Sequence, residues 1–382
     1  MAAPSTQDIL IIGAGPAGAI AGIALARRGH AVTIVEQDRF PRDKVCGECL
    51  SAVGIGVLRR LDLLNQLKRF DPVQLKRATL VTPDGSTLRI DLPTPMLGIS
   101  RRVMDAELLQ AARDAGASVL QPARVESLVA GVQGSRRDSS AGRPAAGGGA
   151  PSVVVRNLES NERSTIESDC VFLADGKAAL LGEKPQATGD LGIKAHFLNV
   201  HADAEAIALL GVAGHYVGVA PIEGGRWNVA YSVPASRVRS FGGDLSALFA
   251  AIVDENQTLK SMFRNASLAG AWLAAPLPRF AVRRVWPAGI IPVGNAAAAL
   301  EPIGGEGMGL AMRSAELAAA AVSRGVDRSH LLDQYTGLWR TRRLACRATA
   351  VLLSRPRVAS TLLRVARGAG PFVRAVTRAI GK

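Results

Sequence analysis

The apolar positions of this chain fall into a strand, helix, strand pattern at its start. In DILIIGAGPAGAIAGIALARRGHAVTIVEQ, residues 8–37, an unbroken apolar run marks a strand buried on both faces. A glycine turn follows. Residues 17–28 are mostly helix formers, and Gly29 ends them. AVTIVE is then a second, parallel strand, which makes a right-handed βαβ unit. RRVMDAELLQAARDAGASVL, residues 101–120, repeats helix then strand. Three short β-like pieces come next: ARVESLVAG, SVVVRNLE and CVFLADG. Residues 190–280 predict strands with one helix near Leu245–Val253. AGIIPVGNAAAAL returns to a buried strand running into a helix. The fold class is α/β: a Rossmann-like, three-layer ββα nucleotide-binding domain with an inserted antiparallel substrate domain and a helical C-terminal tail.

GSRRDSSAGRPAAGGGAP, between the first two β-like pieces, is low in complexity and predicts an extended, mobile hairpin loop. The expected organisation is discontinuous. Residues 1–75, 100–185 and 284–335 form the nucleotide-binding domain, 76–99 and 186–283 the substrate domain, and 336–382 basic helices.

The chain has 382 residues, 48% of them hydrophobic, which is enough for a sizeable core and two domains. The start carries no secretory pattern, and the longest apolar run, 288–312, is broken by glycines, prolines, Asn295, Glu301 and Glu306. A cytoplasmic protein is expected. The net charge is +14, but eleven Lys or Arg and no Asp or Glu fall between Gln334 and Lys382, so the rest carries only +3. A near-neutral body argues against nucleic acid. The tail interleaves Arg with Leu, Val and Ala. It suits either a solvated helical face packed on the body or peripheral contact with anionic lipid at the inner face of the membrane.

Gly13-x-Gly15-x-x-Gly18 sits between strand and helix. Gly13 permits the tight turn, Gly15 admits a pyrophosphate, and Gly18 lets the helix pack on the strand, with Pro16 and Ala17 between them. The helix amino terminus offers free N–H groups to phosphate. Glu36, followed by Gln37, ends the second strand 23 residues after Gly13, placed to accept from ribose hydroxyls. This motif alone does not separate FAD from NAD.

The later segments do. GAGPAG at 13–18, VCGECLS at 45–51, SRRVMDAELLQAA at 100–112, FLADGKAAL at 172–180 and VGNAAAALEPIGGEGMGLAMRSAELAA at 293–319 occur in order. With them the chain resembles the FAD-dependent oxidoreductases of the p-hydroxybenzoate hydroxylase type, and most of all their geranylgeranyl reductase branch. The resemblance implies an FAD enzyme acting on a hydrophobic small molecule. It places Arg101, Val125, Ala174, Asp175 and Gly176 at the cofactor, together with Cys46 and Gly47. Gly294 and Asn295 stand where the family has Gly-Asp; the Asn keeps an acceptor oxygen and loses the charge. Pro302, Gly304, Gly305, Glu306, Gly307 and Met308 are implied to lie against the flavin ring. No second glycine motif follows a strand, so NAD(P)H or another external reductant is expected to dock transiently. No metal is expected.

Three chemistries share this frame. One is hydride transfer to a carbon–carbon double bond, the expected one. Aromatic or polyketide hydroxylation is the alternative. Halogenation comes third, with Lys76 near the place of its relay lysine. A non-catalytic flavin carrier stays open as a different class. The branch's aromatic Tyr-x-Trp-x-Phe-Pro corresponds to Tyr216–Pro221, where Gly218 and Ala220 replace Trp and Phe. Cys46 and Tyr216 are the candidate catalytic residues, with His196 and His215 as further proton donors. Cys46-x-x-Cys49 by itself reads as a redox pair or half a zinc site. Within the resemblance Cys46 belongs to the motif and Cys49 fills a variable place.

Overall fold

The computed structural model describes residues 8–131, 149–176, 179–181, 189–212, 214–278 and 280–355. The low-complexity stretch 132–148 and the tail beyond Arg355 lie outside the described residues.

The apolar runs become a five-stranded parallel sheet. Its order is Ile290–Pro292, Cys170–Leu173, Asp8–Ile12, Ala31–Val35, Ser118–Leu120. Strands buried on both faces need a layer on each side. Ile9 and Ile11 face the helices Pro16–Ala26, Arg101–Asp114 and Gly307–Arg324, within the largest core cluster. Leu10 and Ile12 face the other way, with Val125, Val153 and Val155 of an antiparallel three-stranded sheet. Period-two alternation within one strand thus builds both layers of a Rossmann-like ββα domain. The sheet's order reverses beside Asp8–Ile12, and the first glycine turn opens there, at the carboxyl ends of the strands.

The second sheet, nine-stranded among the described residues, is mostly antiparallel. Its centre is Asp190–Leu198, Trp227–Pro234, His215–Pro221 and Ala206–Val212, joined in parallel to Val73–Val81. Ile193, Ala195, Val229 and Tyr231 face a helical cap over Leu248, Phe249 and Ile252. The opposite residues of the same strands face the FAD-type domain.

Some elements depart from expectation. The cap has three helices, Ala235–Ser240, Leu245–Asp254 and Gln257–Phe263, where one was expected. The side chain of Asp244 accepts from the N–H groups of Ser246 and Ala247, and that of Asn256 from Thr258 and Leu259. These two N-caps start the second and third helices separately. After Ile290–Pro292 the helix does not begin at once. Gly294 has φ 61°, a short turn follows, Pro302–Gly304 makes another, and the helix starts only at Gly307. The basic tail starts as part of a long helix, Arg328–Leu353, rather than at 336, and the proposed boundary at 76 falls inside the strand Val73–Val81.

Candidate functional site

Two glycines hold the cradle tight. Gly13 takes φ 97°, and a Cβ there would meet the Ala174 carbonyl oxygen at 2.6 Å; a Cβ at Gly18 would lie 1.8 Å from the Gly13 oxygen. Strand, turn and helix can approach this closely only without side chains at those positions. The helix Pro16–Ala26 has no side-chain cap at Gly15, so its first N–H groups remain free for an anion. Glu36 is buried at the end of the second strand. Its Oε2 accepts from the Ala14 N–H at 2.7 Å and its Oε1 from the Asp38 N–H at 2.8 Å, which fixes the carboxylate beside the turn. Gln37 is exposed next to it.

Cations gather at this turn. Arg101, at the start of a helix capped by Ser100, is gripped side-on by Asp105, with Nε–Oδ1 at 2.8 Å and Nη2–Oδ2 at 2.5 Å. Arg42 Nη1 reaches the same carboxylate at 2.8 Å. A Cβ on Gly15 would lie 3.6 Å from Arg101 Nη2, and a Cβ on Gly176 would lie 3.9 Å from Lys44 Nζ. Burial pushes Lys44 down to about 8, helped by repulsion from Arg101 and Arg42. A half-buried lysine pushed down by desolvation first and by neighbouring cations next marks a site that can take further negative charge. A diphosphate supplies that charge, so the residues present fit FAD.

Other expected residues close the same crevice. Ala174, Asp175 and Gly176 are half-buried at the end of Cys170–Leu173. Gly294 packs on Ala17, a Cβ there meeting Ala17 Cβ at 3.0 Å, and Asn295 beside it is exposed. Gly305 sits against Met96 and Cys49. Pro302 and Gly307 are exposed, Gly304 half-buried, and Glu306 and Met308 buried, where the chain enters the helix Gly307–Arg324. Val125 lies in the three-stranded sheet, buried against the parallel one.

The loop at 45–51 joins the two sheets. Gly47 is exposed and Cys46 half-buried, with its sulfur in hydrogen-bond contact with Arg101 and accepting from the Glu48 N–H at 3.4 Å. Asn228 Nδ2, on the substrate sheet, donates to the Cys46 carbonyl at 3.1 Å. All four cysteines are free thiols. Cys49 is buried, pushed well up by desolvation, and its thiol donates to the Gly47 carbonyl at 3.3 Å. A poised redox pair needs a thiolate, which this burial opposes.

The sequence reading missed the centre of this loop. Glu48, wholly buried with φ 54°, accepts from Lys194 Nζ at 2.5 Å, from His196 Nε2 at 2.6 Å and from the Arg101 N–H at 2.9 Å. Burial alone would raise Glu48, but the His196 hydrogen bond and the Lys194 charge outweigh it and hold the carboxyl below its usual range. Lys194 and His196 share one face of a strand at period two, so the pattern was visible, but their partner stands 146 residues away. Asp43, Glu48 and His196 also have the spacing of metal ligands. The Lys194 ammonium already supplies the positive charge there, 3.8 Å from Asp43 and in contact with Glu48.

Tyr216 is not beside Cys46. It is opposite Gly211 on its strand, four residues from Ala220, which pairs with Asn228. At about 3.3 Å per residue that is about 13 Å from the Cys46 end. Tyr216 instead lies in the core cluster that holds Cys346, where burial first and then the charge of Glu301 push its hydroxyl well up. Lys76 lies on an exposed edge, paired with Glu205 at 2.5 Å.

A glycine-tight turn, a fixed acid after the second strand and a cation-rich crevice define a dinucleotide-binding protein. A family model described as an FAD binding domain matches residues 6–350. The chain belongs to that family and is an FAD-dependent oxidoreductase. It is 25% identical over 427 residues to a menaquinone reductase of Mycobacterium tuberculosis, covering 99% of each chain. It is 25% identical to a digeranylgeranylglycerophospholipid reductase of Methanoculleus marisnigri, covering 89% of this chain and 83% of the relative. Among solved structures, a flavin-dependent brominase superposes with TM-score 0.78 at 16% identity, over 98% of this chain and 95% of that one; this likeness speaks for the fold.

Proposed function

We propose that this chain reduces a carbon–carbon double bond in an apolar small molecule, using FAD that an external donor such as NAD(P)H has reduced. When bound, FAD supplies the hydride. The chain's own residues have three tasks: to seat the double bond, to exclude water and to hold a proton.

The observation that carries the reading is the sheet face opposite the cofactor cradle. Gly192, Gly218, Ala220, Ala230 and Ser232 alternate onto that face across three paired strands. Gly192 is covered by Val45 and Leu277, and Ala220 packs in a core cluster with Cys49 and Met96. A Cβ on Gly218, by contrast, would meet nothing nearer than the Ala230 carbonyl oxygen at 3.4 Å. The stretch at Gly218 and Ala230 thus leaves room for an apolar ligand in place of the aromatic wall that the resemblance implied. At one end stands the Cys46 thiol, between Arg101 and the substrate sheet, backed by the Glu48–Lys194–His196 cluster. The reductase relatives support the same chemistry. Halogenation is disfavoured because Lys76 is engaged with Glu205 at the exposed edge.

The roles of Cys46 and the cradle residues are part of this proposal. So is peripheral membrane contact through the segment after Arg355, which would suit an apolar substrate. Among the described residues no helix is long and apolar enough to cross a membrane.

The test is flavin bleaching by NADH or NADPH, then anaerobic reoxidation by prenyl quinones and geranylgeranyl lipids. Reoxidation with a product two hydrogens heavier is expected. Substrate-dependent oxygen uptake without anaerobic turnover would establish hydroxylation in its place.

A further inference from the structure

The inward face of the helix Arg328–Leu353 runs through Leu331, Tyr335, Trp339, Arg342, Cys346, Ala350 and Leu353, all buried. Six of these fit a core. Arg342, 4% exposed, does not. A guanidinium at such a position is costly unless every donor is satisfied.

Arg342 Nη1 donates to the Leu338 carbonyl at 2.8 Å. Nε and Nη2 form the edge with which arginine binds paired oxygens, and they make no hydrogen bond among the described residues. The nearest charge, Glu306 Oε2, stands 3.8 Å from Nε, beyond hydrogen-bond range. The Tyr216 hydroxyl is also buried without a hydrogen bond. Cys346, one turn from Arg342, feels Glu301, Glu306 and Arg342, while Tyr216 feels Glu301 and Cys346. The helix also packs on the strand of Tyr216: a Cβ on Gly211, which pairs with Tyr216, would meet the Leu353 carbonyl oxygen at 2.7 Å. These groups therefore lie along one seam between that helix and strand, near where the chain enters the helix Gly307–Arg324. Native interiors rarely leave several donors unpaired in one place without a water or a ligand to meet them. Burial pushes Glu306 up to about 7, against the pull of Arg342, so near neutrality Glu306 is partly protonated and can itself donate.

We infer that Arg342 and Tyr216 bind the oxygen-bearing head of an otherwise apolar substrate, and that the C-terminal helix is a wall of the substrate site. The open edge of Arg342 matches a planar pair of acceptors, a carboxylate best and a carbonyl next. This rests on the proposed substrate lying over the small-residue face, because Tyr216, Gly218 and Ala220 share that face. A hydrophobic tail over Gly218 and Ala230, with its head at Arg342, spans the site from the C-terminal helix toward Cys46.

The test is binding, which needs no turnover. FAD-loaded full-length protein is titrated with farnesoic acid, farnesal, farnesol and farnesene, followed by calorimetry and by the flavin difference spectrum. The acid should bind at least tenfold tighter than the hydrocarbon, with the aldehyde and alcohol between. Arg342→Met should bring the four within about twofold of one another, and Arg342→Lys should restore part of the gap. Tyr216→Phe, which keeps the packing, should weaken the three oxygenated probes and leave farnesene unchanged. This arm decides the matter if Arg342→Met fails to hold FAD. Equal binding of all four probes to the parent protein would overturn the inference, as would undiminished head selectivity in Tyr216→Phe and either Arg342 variant. Head selectivity without double-bond reduction in any probe would sink the proposed reaction and leave this site standing.

Discussion

Replacing Glu48 by Gln removes one negative charge from the centre of a closed cluster. Glu48 is fully buried and Lys194 is 1% exposed, so water cannot reach in to solvate the ammonium left behind. The carboxylate meets Lys194 at 2.5 Å and His196 at 2.6 Å, and it also takes the Arg101 N–H. Breaking a buried pair by removing one partner costs about 3–5 kcal/mol, mostly because the other charge stays buried. Glu48→Gln should therefore lose about 3 kcal/mol, since Gln keeps the shape and an acceptor. Glu48→Gln with Lys194→Met removes both charges and should recover at least about 2 kcal/mol of that loss. The assay is urea denaturation of the FAD-loaded protein at fixed FAD, followed by far-UV and flavin signals together to check that one transition is being read. The pH dependence adds a second handle. The carboxyl of Glu48 is held below its ordinary range in the folded state, so its contribution is complete above that range and drains as pH falls through the lower folded value. The parent protein should thus lose more stability on acidification than Glu48→Gln. A single variant costing under about 1 kcal/mol, or a double variant as damaged as the sum of the singles, would refute the reasoning.

Three further outcomes follow from the same geometry. Lys44, pushed down to about 8, should make FAD affinity fall as pH rises past 8; Lys44→Gln should weaken binding about tenfold and flatten that dependence, as read by flavin fluorescence titration. Titration of the native thiols should find one fast group, Cys46, while Cys49, Cys170 and Cys346 react only on unfolding, because those three are buried; two thiols absent until reduction would revive a Cys46–Cys49 bridge. Membrane contact by the tail is tested by liposome flotation of the full chain against a chain ending at Arg355, since a cut after Gln334 would strip Trp339, Cys346 and Leu353 from the core; equal partitioning would remove that hypothesis.

Much of the cofactor domain was legible because its signals are local. A βαβ unit is specified within about thirty residues by apolar runs, glycine spacing and a terminal acid, and the parallel sheet followed that pattern strand by strand. The remaining residues expected at the cofactor came through resemblance rather than periodicity. Helix counts in the cap failed where Asp244 and Asn256 acted as caps inside what looked like one irregular segment. The described start of the tail is a helix packed on the body, one of the two arrangements expected of it, but its inward arginine was not foreseen. Its charge pattern announces a basic face, yet inward positions three or four apart already include Arg342, and spacing alone does not say whether an arginine at such a place is tolerated or used.

The sequence by itself determined the nucleotide-binding unit and the shape of its phosphate turn. Gly13 and Gly18 can be nothing else where an added Cβ would stand under 3 Å from a neighbouring backbone atom. It also singled out Cys46 and Gly47 in the loop at 46–51, but neither Glu48 at its centre nor the partners of Glu48. Only the tertiary structure decided that Glu48 closes on Lys194 and His196, that Tyr216 sits in the core cluster of Cys346 rather than by Cys46, and that one arginine of the tail turns inward. The physical reason is range. Backbone sterics and apolar periodicity act between near neighbours in the chain. The cost of a buried charge is settled by whichever groups the finished fold brings within a few ångströms, however far apart they are in sequence.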